Sequence, residues 1–120
     1  MKTVQVACDR PYMQGDTLFI PNDVTRPDGL FKQRWSGNIL SATLYYVELV
    51  VWKDDTDPED IGWFTSWVFF IDGKETLWED LSQDDKCAVI KDRLPYITHH
   101  PKSIFPWSIE EEALVALELL

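Results

Sequence analysis

Cysteine is scarce: Cys8 and Cys87 are the two in 120 residues, too few for the disulfide framework of a small secreted domain. Two buried free thiols are expected instead. Long apolar runs are also missing. No stretch reaches the roughly 18 uncharged apolar residues that span a bilayer, and the amino terminus, MKTVQVACDRPY, lacks the apolar run of a secretory signal. A cytoplasmic protein, or an internal fragment of a longer one, is the expectation, with no membrane as a partner. Catalytic spacing is absent too: there is no Gly-x-Ser-x-Gly, no glycine-rich phosphate loop, no dinucleotide fingerprint and no Cys-x-x-Cys or His-x-x-x-His pair. A protein that is not an enzyme and holds no cofactor or metal follows as the expectation.

Basic residues are nearly missing from one long stretch. Residues 54 to 85 carry eleven acids (Asp54, Asp55, Asp57, Glu59, Asp60, Asp72, Glu75, Glu79, Asp80, Asp84 and Asp85) against a single base, Lys74. This window accounts for the whole net charge of −10, since the rest of the chain has ten acids and ten bases. A field of that sign repels nucleic acid and anionic membrane and attracts basic partners. The alternative is a solvated surface that keeps the protein in solution.

What is present is a pattern of strands. The apolar fraction of 45% is that of a folded protein rather than a disordered one. Thr3 to Cys8 alternates, with Val4, Val6 and Cys8 on one side, and Thr17 to Ile20 reads as a second short strand ended by Pro21. Arg26-Pro-Asp-Gly29 is a turn, Leu30 to Trp35 a strand, and Ser36-Gly37-Asn38 its break. The run from Ile39 to Trp52 is rich in β-branched and aromatic residues, which suits a strand better than a helix. Parity puts Leu44, Tyr46, Glu48, Val50 and Trp52 on one face and Tyr45, Val47, Leu49 and Val51 on the other. Both faces are apolar, as in a central strand covered on each side, and Glu48 is the intruder. Residues Ile39 to Ser41 could also be a short helical or irregular lead-in.

Trp63 to Ile71 is apolar on both faces, and Asp72-Gly73 is a two-residue hairpin signal. That loop pairs Ile71 with Lys74, Phe69 with Thr76 and Trp67 with Trp78. Ser82 then starts a helix, with Asp84 and Asp85 in its first turn, Cys87, Ile90 and Leu94 on its apolar stripe and Pro95 as its stop. Tyr96 to Pro106 reads as a loop. Ser108-Ile-Glu-Glu111 is a capping box opening a second helix whose apolar face carries Ile109, Ala113, Ala116, Leu117 and Leu120. The fold expected is α+β in a single domain, residues 1–120: an antiparallel sheet of about five or six strands, then two C-terminal helices packed on it.

The acidic segment Asp54-Asp55-Thr-Asp57-Pro-Glu59-Asp60 invites a calcium reading. Counted from Asp55, the sixth position is Asp60 where the turn needs glycine, and the twelfth is Ser66 where a bidentate glutamate belongs. It is not an EF-hand. His99 and His100 are adjacent, so on extended backbone they point to opposite sides and do not chelate one ion. Cys87 sits on the expected core stripe, which makes it a buried thiol rather than a nucleophile.

Six Trp, six Phe and four Tyr are more aromatics than a small core readily buries, so some of Trp35, Trp52, Trp63, Trp78 and Trp107 are expected at the surface. Aromatic anchors within a polar rim are typical hot spots of protein interfaces. Charge and aromatics together point to a non-enzymatic inhibitor of a basic protein, specifically an immunity protein that neutralises a bacterial nuclease toxin. The acids would stand in for the phosphates of the nuclease's substrate. The expected partner-binding residues are Asp54, Asp55, Asp57, Glu59 and Asp60, with Trp63 or Trp52 as anchor, on a monomer or small homo-oligomer that binds no nucleic acid. Two alternatives use the same features: a phage-encoded DNA mimic that blocks a restriction or CRISPR effector, and an assembly subunit that associates through exposed aromatics.

Overall fold

A computed structural model describes residues 2–25, 31–53 and 64–99. They form an α+β arrangement in three layers: a small sheet, a large sheet, and a helix. The strands are β1 (Lys2–Val6), β2 (Tyr12–Gln14), β3 (Thr17–Pro21), β4 (Val24–Thr25), β5 (Phe31–Ile39), β6 (Leu44–Lys53), β7 (Phe64–Ile71) and β8 (Lys74–Thr76). Seven of these have three residues or more, and β4 is a two-residue bridge. A 3-10 turn at Trp78–Asp80 leads to the helix α1 (Gln83–His99).

The large sheet is antiparallel in the order β4-β5-β6-β7-β8. As the residue pattern implies, β6 is central and covered on both faces. On one side Leu44 and Tyr46 join Phe69, Trp78, Leu81, Val89 and Ile90 in a core beneath the helix. On the other, Tyr45 and Val47 join Val68, Phe70, Leu18 and Ile20 in a core beneath the small sheet. The β7–β8 hairpin has positive φ at both loop residues, 51° at Asp72 and 79° at Gly73, the backbone of a I′ turn that Asp-Gly favours. Ile71 pairs with Lys74 and Phe69 with Thr76, in the register that this turn dictates.

Four expectations are corrected and one open reading is decided. The sheet is not single and wholly antiparallel: β1, β3 and β2 form a separate three-stranded sheet in which β1 runs parallel to β3. The β2–β3 hairpin folds back so that β3 lies between β1 and β2, and alternation within β1 carries no information about its partner. Lys2 N–H to Asp16 O and Asn22 N–H to Val6 O, both 3.1 Å, close the two ends of the parallel pairing. Second, Ser36-Gly37-Asn38 does not break β5, which runs to Ile39 and pairs Gly37 with Val47. Glycine is there because the small sheet crosses close by. A Cβ on Gly37 would lie 3.0 Å from Thr3 Cγ2 and 3.2 Å from Leu18 Cδ2.

Third, of the two readings of Ile39 to Ser41 the structure has the lead-in: Ile39 ends β5, residues 40–43 form the β5–β6 turn, and β6 begins at Leu44. Ser41 Oγ accepts the N–H groups of Thr43 and Leu44 at 3.2 and 3.0 Å. Fourth, Trp67 and Trp78 do not pair across strands. β8 ends at Thr76, and Trp78 turns under the sheet, its ring 5.4 Å from that of Phe69. Fifth, Pro95 does not stop α1, which continues to His99, so Tyr96 to His99 is helix rather than loop. Proline removes one hydrogen bond to the carbonyl four residues earlier, and the helix runs on without it.

The start of α1 is as its residues imply: Ser82 Oγ accepts the Asp85 N–H at 3.1 Å, with Asp84 and Asp85 in the first turn. Over residues 83–93 of α1, Val89 and Ile90 are the buried ones. Both cysteines are free and half-buried rather than buried. The Arg26–Gly29 turn, the second expected helix and His100 lie outside the described residues.

Candidate functional site

Of the residues expected to meet a partner, Asp54, Asp55, Asp57, Glu59, Asp60 and Trp63 lie outside the described residues. The sheet does fix where their segment is tethered: the chain leaves β6 at Lys53 and joins β7 at Phe64, which pairs with Val51. Trp52, at this end of β6, is buried at 7% exposure. The Arg34 guanidinium carbon lies 5.3 Å from its ring centroid, a cation–π contact that holds the indole inside the fold.

The other acids of the window are carried away from that tether by β7. Its eight residues span roughly 25 Å at about 3.3 Å each, and Asp72 follows at the far end. Asp72, Glu75, Glu79, Asp80 and Asp84 are exposed and Asp85 is half-buried. Glu75 is paired with Arg10, which ties the β1–β2 connection to the edge of the large sheet. The described acids of the window therefore lie at the end of β7 away from Lys53 and Phe64.

Exposed aromatics do occur, but not where the tryptophan content suggests. Trp78 is buried like Trp52, and Trp35 and Trp67 are half-buried. The aromatic pair on the surface is Tyr12 and Phe19, stacked with centroids 4.8 Å apart. Register places Val4, Phe19 and Tyr12 in one row, and because Leu18 and Ile20 face the core, alternation turns this row outward. Val4 is 38% and Tyr12 42% exposed. In the sequence Leu18-Phe19-Ile20 is apolar at every position, which by itself does not show which face is left outside the core.

Glu48, the intruder on β6, lies at the centre of a buried polar network. It is the buried charged residue among those described, at 7% exposure. The Trp67 indole N–H donates to its Oε2 at 2.9 Å, and Arg93 on α1 approaches the same oxygen at 3.0 Å. Tyr46, two residues before it, donates its hydroxyl proton to Asp92 at 2.5 Å. These bonds join β6 and β7 to the helix. Two donors, one from β7 and one from α1, converge on Oε2, so the network suits holding α1 in register. Sequence alone marks Glu48 as out of place but does not reveal Arg93 or Asp92, which lie some forty-five residues away. Among the described residues no group of three or more His, Cys, Asp or Glu is arranged to hold a metal, and no helix is long and apolar enough to cross a membrane.

Tyr46 carries a pH prediction. Burial first, then the hydrogen bond and charge of Asp92, push its phenol well above the ordinary tyrosine value. The folded state therefore keeps this proton when the unfolded chain loses it. Its contribution is fully present below the ordinary value of 10.0 and falls away as pH rises above it, by about 1.4 kcal/mol per pH unit. Unfolding free energies measured by denaturant from about pH 9.5 to 11.5 are expected to decline less steeply in Tyr46→Phe by that amount. An unchanged slope would mean that Tyr46 ionises freely in the fold.

Comparison of the chain with protein-family models, with curated proteins and with solved structures finds no match.

Proposed function

We propose that this protein is an acidic, non-enzymatic inhibitor of a basic protein, and specifically an immunity protein that neutralises a nuclease toxin. The observation that carries this reading is the charge: eleven acids against one base between residues 54 and 85, and −10 overall. Nucleases need a cationic groove for phosphate, and a small acidic protein can fill that groove. Of the six described acids in the window, five are exposed; Glu75 is paired with Arg10, and the charge of Asp72, Glu79, Asp80 and Asp84 is available to steer a basic partner. The segment 54–60 stands in for phosphates in this picture, and the described acids beyond β7 widen the field.

The test begins with an affinity pull-down from the native host at low salt, eluted with a salt gradient. A basic nuclease or toxin domain released at moderate salt supports the reading, and a defence effector would move it to a DNA mimic. Association with the recovered partner is then followed by stopped flow for a variant with Asp54, Asp55, Asp57, Glu59 and Asp60 changed to their amides. The on-rate is expected to fall about tenfold or more, with folding and off-rate little altered. Unchanged affinity would reduce the segment to a solubilising surface. The outward row Val4–Phe19–Tyr12 favours a different reading, an assembly subunit. That reading requires concentration-dependent oligomers that resist salt.

A further inference from the structure

A cleft of about 530 Å³ opens where three turns meet, lined by Met13, Gly15, Asp16, Ala42, Tyr45, Asp72 and Gly73. Its floor is apolar: Tyr45 is 6% exposed, with its hydroxyl donating to the Ala42 carbonyl at 2.6 Å, and Met13 is half-buried. Its rim is exposed and carries Asp16 and Asp72. The walls are tight turns. Gly15 has φ of 61° and Asp72 and Gly73 have φ of 51° and 79°, and the Asp72 N–H donates to Thr43 O at 2.9 Å, locking one turn to the next. Among the described residues no basic side chain lines the cleft. Among the described residues neither carboxylate has an ion-pair partner. Asp16 accepts one hydrogen bond, from Thr17 Oγ1 at 3.4 Å.

We infer that this cleft receives an arginine side chain from the basic partner. Arginine is amphipathic along its length. Its stem suits the Met13–Tyr45 floor and its guanidinium suits a rim that offers two carboxylates and, among the described residues, no competing cation. The wide mouth fits a side chain presented by a protein better than a small metabolite, which is usually enclosed over most of its surface. Rigid turns keep the cost of ordering the site small. The inference rests on the inhibitor reading, and it adds a point of attachment at the end of β7 opposite to the one where Phe64 pairs with Val51.

The experiment is a heteronuclear NMR titration of the full ¹⁵N-labelled chain with N-acetyl-arginine amide, using N-acetyl-citrulline amide as the neutral isostere. Arginine is expected to produce saturable shifts at the Gly15, Asp16, Asp72 and Gly73 amides in the millimolar range, and citrulline none. The double variant Asp16→Asn/Asp72→Asn is expected to bind at least about tenfold more weakly. Asparagine tolerates the positive φ at position 72, so this variant keeps the turn. Absence of saturation at these four amides, or equal shifts with citrulline, would overturn the proposal. The partner recovered by pull-down separates the two readings. If it binds the double variant as tightly as the unaltered chain, the cleft is excluded and the inhibitor reading stands. If no basic partner is recovered but the arginine shifts saturate, the cleft stands and the inhibitor reading is lost.

Discussion

Replacing Glu48 by alanine is expected to lower the unfolding free energy by about 3 kcal/mol, the scale seen when one member of a buried ion pair is removed. The Glu48 side chain is 9% exposed and that of Arg93 19%, so water replaces little of what is lost. Arg93 would lose the carboxylate oxygen it meets at 3.0 Å and the Trp67 indole N–H the acceptor it meets at 2.9 Å. Glu48→Gln keeps an oxygen for Trp67 and removes the charge, so it is expected to cost about half as much. The informative variant is Glu48→Leu combined with Arg93→Leu. Apolar replacement of both members of such a pair is often neutral, so the double change is expected to recover most of the stability lost by Glu48→Ala. Urea unfolding of the single and double variants gives the coupling. A single-variant loss below about 0.5 kcal/mol would show that the pair does not hold the helix to the sheet.

Leu18→Ala is expected to cost about 3–4 kcal/mol, within the range for a leucine truncated in a core that cannot collapse. Leu18 is fully buried between the two sheets, against the face of β5 where Gly37 admits it. The large sheet on the far side is pinned by the second core and by α1, which limits how far the gap can close. The damage is expected to be local. Hydrogen exchange should show β1 and β3 amides losing protection while those of β6 and β7 keep theirs, because the helix-side core is untouched. Equal loss of protection in all four strands would show instead that the two cores open as one unit.

The parts of the fold legible in the sequence are those set by local chemistry. Asp72-Gly73 specifies a I′ turn and with it the register of β7 on β8. The apolar residues on both parities of β6 and β7 announce two cores, and Ser82 marks the start of α1. What was not legible depends on distant neighbours. Gly37 looks like a break until the small sheet is seen passing 3.0–3.2 Å from where its Cβ would be. β2 is three residues long in a stretch of Pro, Gly and Asp, too short to show a period. Nothing in β1 indicates that it runs parallel to β3.

The candidate site divides in the same way. Glu48 and the charge imbalance are visible in the sequence, whereas Arg93, Asp92 and the cleft at the hairpin tips arise only when separate segments meet. Trp52 carried an expectation based on residue type, and its 7% exposure reflects the company of Arg34.

The placement of Leu18 and Ile20 against Tyr45, Val47, Val68 and Phe70 has a consequence during synthesis. The ribosome delivers β3 first, and β6 and β7, which cover its inner face, follow roughly thirty and fifty residues later, a wait of about 1.5–10 s at typical elongation rates of about 5–20 residues per second. Throughout that interval the nascent chain presents the inner side of the small sheet with nothing of its own to lay over it. Chaperone demand in the cell is therefore greatest before β6 and β7 have emerged.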